Sequence, residues 1–211
     1  MKLFNLHTHN PNEEYGLINH MQGLFLNDEK KYSVGIHPWN YSENWNNQIG
    51  RIKDLARLNN FVAIGETGFD SKSPVSIEVQ KDIFKKHIVI SEETKKPMII
   101  HCVKFFNELI QLKKEVKPRQ AWIIHGFRSK VSIAEDLIKH DFYFSLNEGL
   151  LQDQDKAKQL LLTIGLEHLF FETDDLSTDI QNIYNFASKV FDISLEKLNQ
   201  EIEKNLIKCR I

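Results

Sequence analysis

A chain of 211 residues, 41% apolar and 27% charged, has the makeup of an ordinary globular domain large enough to bury its own core. Its formal net charge of −2 excludes a surface built for tight nucleic-acid binding, which draws affinity from an excess of Lys and Arg over phosphates. Two cysteines far apart, Cys102 and Cys209, exclude a disulfide framework, and with no leader pattern or membrane-length apolar run they predict a cytoplasmic protein.

The chain opens on an apolar segment, residues 3–6, that reads as a strand ending in His7-Thr8-His9. Side chains two apart on a strand share a face, so His7 and His9 project together, either as an exposed turn or as a ligand pair. A short strand at 23–26 and a firmer one at 32–36 follow, the latter running into His37. Residues 42–60 read as a helix, with Ser42 as cap and Trp45, Ile49, Ile52 and Leu55 at helical spacing. Strand 61–64 leads to Glu66, and helix 76–96 carries Ile77, Phe84, Ile88 and Ile90 on one face before Pro97 forces a restart. Strand 98–100 leads to His101, helix 105–115 follows, and strand 122–124 leads to His125. Beyond helix 130–140 come strand 142–146, helix 155–162 and strand 169–171, the last leading to Asp174. Helices at 180–191 and 194–207, the second capped by Ser194, close the chain.

Most of these strands are continuous runs of Ile, Val, Phe and Leu, the pattern of strands buried on both faces. Alternation with helices predicts one α/β domain over residues 1–211, a TIM-like (β/α) barrel of roughly seven or eight strands, incomplete or distorted. No glycine-rich phosphate loop follows the first strand. In such a barrel the carboxyl ends of the strands share a rim, so His7, His9, His37, Glu66, His101, His125 and Asp174 are expected to meet there. Imidazoles and carboxylates together suit divalent metal ions. Two ions need a shared ligand, for which Glu66 is the candidate, and such a pair generates a hydrolytic nucleophile at neutral pH.

In order and context these motifs resemble the TatD family of metal-dependent hydrolases and deoxyribonucleases, within the amidohydrolase-like superfamily. "NLHTHN", "SVGIHPW", "AIGETGFD", "QKDIFKKHIVISEETKKPMIIHC", "WIIHGF", "FYFSLNEG", "LFFETDD" and "EKLNQEIEKNLIKC" carry the resemblance over nearly the whole chain. It implies a binuclear site holding Zn, Mg or Mn. His7, His9, Glu66 and Asp174 would hold one ion, and Glu66, His101 and His125 the other. Glu66 and Asp174 would be the catalytic carboxylates, with Asp174 orienting or deprotonating the attacking water. The implied activity is phosphodiester hydrolysis of DNA. The alternatives are an amidohydrolase-like or phosphatase reaction on a small molecule, or metal binding with little catalysis. The sequence departs from the family where the stretch between His9 and Gly35 is short, which implies an eroded first helix and second strand, and where Leu176 replaces a proline.

His37 is expected outside the ligand set, contacting substrate, and Asp70 is expected to support a ligand rather than to be one. Arg128 and Lys104 are the basic groups nearest the rim, with Arg128 assigned to substrate. Cys102 is expected to point into packing. His20, His87, His140 and His168 are expected away from strand ends, in solvent or core. The expected partner is DNA or a small phosphoester, bound transiently by a monomer with no membrane contact.

Overall fold

Eight parallel strands follow one another in chain order around a nearly closed barrel in the computed structural model, which describes residues 1–20, 26–41 and 45–211. They are β1 (Asn5–Thr8), β2 (Gly16–Asn19), β3 (Lys31–Val34), β4 (Phe61–Asp70), β5 (Met98–Val103), β6 (Trp122–Ile124), β7 (Phe142–Leu146) and β8 (Leu169–Phe171). The helices are α1 (Trp45–Leu55), α2 (Ile77–Thr94), α3 (Phe106–Val116), α4 (Val131–Ile138), α5 (Gln154–Ile164), α6 (Gln181–Phe191) and α7 (Leu195–Cys209). Every strand of β6 and β8 is buried along its length, as their unbroken apolar runs require. No helix among the described residues is long and apolar enough to cross a membrane.

Local chemistry sets the helix ends. Ser76 and Ser194 accept the amides of Val79 and Lys197 at the starts of α2 and α7, and Asp153 accepts that of Lys156 at the start of α5. Lys95 takes a left-handed conformation that stops α2, and its amide returns to the Ser91 carbonyl. Outside the barrel an aromatic layer joins helix to sheet: Phe69 meets Phe84 at 5.0 Å, Phe84 meets Trp122 at 5.3 Å, and Trp122 meets Phe142 at 5.8 Å between ring centroids.

Several boundaries differ from the sequence expectation. The first strand starts at Asn5 and contains His7, while β4 and β5 run on far enough to contain Glu66, Asp70 and His101. The expected erosion of the second strand is corrected: β2 is present and pairs with both β1 and β3. No helix stands between β1 and β2, whose connection is a tight turn at 9–15. The expected strand at 23–26 and the Ser42 cap fall at residues 23–25 and 42, outside the described residues.

The barrel closes by a narrow seam. Thr8 and Asp174 form a parallel bridge, with Asp174 N donating to His7 O (2.9 Å) and His9 N donating to Asp174 O (3.0 Å). A buried polar clasp backs it: Asn5 Nδ2 donates to Thr173 Oγ1 (2.9 Å), Thr173 N to Asn5 Oδ1 (3.0 Å), and Thr173 Oγ1 to Thr8 Oγ1 (3.0 Å).

Candidate metal centre

Glu66 stands at the centre of the rim, on a strand where Glu66, Gly68 and Asp70 alternate onto one side. Gly68 sits at φ +148°, and any side chain there would overlap the His101 carbonyl on β5, so glycine lets the two strands approach and brings His101 to Glu66. One carboxylate oxygen, Oε1, faces His125 Nε2 at 2.7 Å, His101 Nδ1 at 3.0 Å and His37 Nε2 at 3.2 Å. The other, Oε2, faces His7 Nε2 at 3.5 Å and His9 Nε2 at 3.7 Å. Asp174 Oδ1 faces the same two imidazoles, each at 3.5 Å. All six expected ligands therefore converge on one cavity, from strands far apart in sequence.

The donor set fits divalent cations. His7 is fully buried, yet neither ring nitrogen has a hydrogen-bond partner among the described residues, which is rare for a buried polar group. Spacings of 3.5–3.7 Å among His7, His9, Glu66 and Asp174 are long for hydrogen bonds. They are close to the ~3.3 Å that separates neighbouring donors around an ion bound at about 2.0–2.1 Å. Around Oε1 the contacts are shorter, at hydrogen-bond length.

Burial alone would raise the Glu66 pKa, but His125, His101 and His37 hold it well below the usual carboxylate range. Burial likewise pushes Asp174 up, and His7 and His125 outweigh it and keep the group ionised at neutral pH. His125 is driven the other way: despite burial, Glu66 and Glu172 raise its pKa well above that of free imidazole. His7 is raised as well, because Asp174 and Glu66 overcome burial and the charge of His125.

Around these donors a second layer fixes their orientation. Asp70 Oδ2 faces His101 Nε2 at 2.8 Å and accepts Trp39 Nε1–H at 2.9 Å. With Nε2–H directed at Asp70, His101 keeps the Nδ1 lone pair on the Glu66 side. Asp70 is itself held by Gln80 of α2, which accepts its amide at 2.8 Å and donates to its carbonyl at 3.1 Å. Burial would raise Asp70, but the Lys72 amide, His101 and Trp39 hold it below the usual carboxylate range. His37 Nδ1 accepts the Trp39 amide (3.1 Å), so the proton of its neutral form lies on Nε2, facing Glu66. That makes His37 a donor toward the centre, although its ring lies as close to Glu66 as the others.

Sequence reasoning missed three participants. Asn19 at the end of β2 donates to Glu66 Oε2 (3.2 Å) and accepts the Glu66 amide (3.3 Å). Glu172 is fully buried, and its Oε1 faces His125 Nδ1 at 3.5 Å. It stands two residues before Asp174, the same one-face spacing that marks His7 and His9. Trp39, more than half exposed, lines the rim beside His37.

The remaining expected residues are placed as follows. Arg128 is exposed on the loop after β6, with its guanidinium beside Gly149, and Lys104 is exposed after β5. Cys102 is half-buried, and burial raises its thiol pKa. His20 is corrected: it directly follows β2, a strand end, where its ring packs on Phe61 at 5.3 Å rather than facing Glu66. His87 lies in the core of α2 and supports the rim from behind, accepting the Ile36 amide at 3.1 Å. His168 faces the Phe142 carbonyl at 3.1 Å, and His140 follows α4.

Among solved structures, the chain superposes on YJJV, a TatD homolog from Escherichia coli K12, with a TM-score of 0.81 at 14% identity, covering 98% of this chain and 97% of that one. Among curated relatives, the uncharacterized metal-dependent hydrolase YabD of Bacillus subtilis is 29% identical over 147 residues, 67% of this chain and 57% of the relative. The uncharacterized metal-dependent hydrolase MJ1582 of Methanocaldococcus jannaschii is 26% identical over 196 residues, 85% of this chain and 76% of the relative. Against YabD and two Buchnera aphidicola hydrolases the chain spans 54–58% of the relative's length. The model of the family described as TatD related DNase matches residues 19–209, leaving out residues 1–18, with β1 and most of β2, and the last two residues. The chain belongs to the TatD-related DNase family.

Proposed function

We propose that the protein is a divalent-metal-dependent phosphodiesterase that hydrolyses DNA through a binuclear centre bridged by Glu66. The observation that carries this reading is the division of labour on one carboxylate, with His7 and His9 on Oε2 and His101 and His125 on Oε1. The family's description as a DNase and the metal-dependent hydrolase names of the relatives point the same way. Bound divalent ions at such a centre lower the pKa of water and neutralise charge building up on phosphoryl oxygens.

The chain's own groups supply the rest. Asp174, ionised at neutral pH, accepts the proton of the attacking water at Oδ1. Its left-handed backbone (φ 56°) and its two main-chain bonds to β1 hold that oxygen beside His7 and His9. His37 offers Nε2–H to phosphate oxygens, and the exposed guanidinium of Arg128, on the loop after β6, is a second group for the substrate. Asp70, Asn19 and Glu172 keep His101, Glu66 and His125 from swinging away.

Incubating purified protein with single-stranded DNA and Mn, with and without chelator, tests the reading. Shortening of the DNA that the chelator abolishes is expected. Intact DNA alongside turnover of a small phosphate ester would transfer the chemistry to a small-molecule substrate.

A further inference from the structure

We propose that Trp39 is a stacking platform for a nucleobase of the substrate, set beside the Glu66 centre; this rests on the nuclease reading above and names how the substrate is gripped. Trp39 lies in a 3₁₀ helix of one turn, Pro38–Asn40, after β3, and 56% of its surface is exposed. More than half of the indole is therefore open to solvent at the rim, beyond what its contacts with Asp70 and His37 cover. It is nonetheless held still. Its Nε1–H donates to Asp70 Oδ2 at 2.9 Å, and its backbone amide donates to His37 Nδ1 at 3.1 Å. Its ring meets the His37 ring nearly edge-on, 5.1 Å between centroids at 85°, and lies 6.4 Å from that of His101. The indole N–H is therefore spent on the protein, and the open ring surface is what remains for a ligand.

A fixed aromatic face suits stacking, because binding costs it little conformational freedom. Stacking accepts any base, since every base has a π-face. It also supplies what the chain otherwise lacks. A net charge of −2 gives little general attraction to phosphates, so affinity for a nucleic acid needs a non-ionic contact. The Trp39 ring lies 5.1 Å from that of His37 and 6.4 Å from that of His101, and both imidazoles face Glu66 Oε1, so a phosphate at the centre and a neighbouring base on the indole are engaged together.

Trp39→Ala and Trp39→Phe provide the test, because both remove the N–H from Asp70 and differ in whether a ring remains. With single-stranded DNA, KM is expected to rise about tenfold or more in Trp39→Ala and to recover to within about threefold in Trp39→Phe, while the two variants share one kcat. Thymidine 5′-monophosphate should bind Trp39→Ala about tenfold more weakly than wild type, while 2-deoxyribose 5-phosphate, which has no base, binds both alike. Equal KM values for Trp39→Ala and wild type on DNA that both shorten would overturn the platform and leave the nuclease reading standing. Loss of the base-free sugar phosphate to the same degree as the nucleotide would also overturn it. Should wild type shorten no DNA while the nucleotide, and not the sugar phosphate, depends on the Trp39 ring, the nuclease reading fails and the platform stands.

Discussion

Glu66 is buried among imidazoles, and its charge is tolerable only because each oxygen has histidines to answer it. The same reasoning assigns work to Glu172, whose carboxylate faces His125 at 3.5 Å and has no hydrogen-bond partner among the described residues. Glu172→Gln keeps the shape and removes the charge, so affinity for Mn or Zn, read by competition with a chelator, should fall roughly tenfold. Unchanged affinity would reduce Glu172 to a packing group. His87 allows a prediction about pH. Burial depresses its pKa from 6.5 to about 4, with Nδ1–H donating to the Ile83 carbonyl and Nε2 accepting the Ile36 amide. Between those pH values the unfolded chain binds a proton that the folded chain refuses, so stability falls as pH drops from 6.5 towards 4, by about 3 kcal/mol in all. His87→Gln can keep both hydrogen bonds without titrating, and its urea midpoint should decline less over that range than that of wild type. At this scale the cluster around Glu66 was legible because strand-end His, Glu and Asp recur along the chain. Glu172 was not, because equal spacing says that two carboxylates share a face and not which one lies deeper.

The seam between β1 and β8 positions Asp174 through backbone bonds, so the clasp behind it is part of the site. Thr173→Val removes the hydroxyl that links Asn5 to Thr8, and with it two of the clasp's three hydrogen bonds, which costs about 1–3 kcal/mol. The melting temperature should fall, and metal affinity with it, because Asp174 follows directly. A normal melting temperature would mean that water or a neighbouring group replaces the bond. Elements with long apolar faces, such as α2 and α7, stood out in the sequence because their period runs over several turns. β2 did not, since Gly16–Asn19 carries two apolar residues, Leu17 and Ile18, between a glycine and an asparagine, and makes no apolar run. With β2 unseen, Asn19 could not be seen as the residue that braces Glu66.

For the whole molecule, the barrel gathers positive imidazoles and negative carboxylates that a cation must reorganise. Asp174 and Glu66 raise the pKa of His7, and Glu66 and Glu172 raise that of His125 well above free imidazole, so both rings hold protons more tightly than free imidazole does, and metal binding competes with those protons. Calorimetry in buffers of different ionisation enthalpy should show proton release on metal binding, and affinity should weaken as pH falls. Binding without proton release would contradict the assignment of these histidines as ligands. The order of strand, ligand and helix along the chain made the barrel readable, because each parallel strand delivers its carboxyl end to one rim. What that order could not convey was depth, meaning which groups touch an ion and which stand behind. Metal content per chain reads out whether Glu66 joins two ions. After loading with Zn or Mn and removal of excess, wild type should retain two ions, and Glu66→Ala at most one. Retention of no ion by wild type, or equal retention by both proteins, would contradict the account.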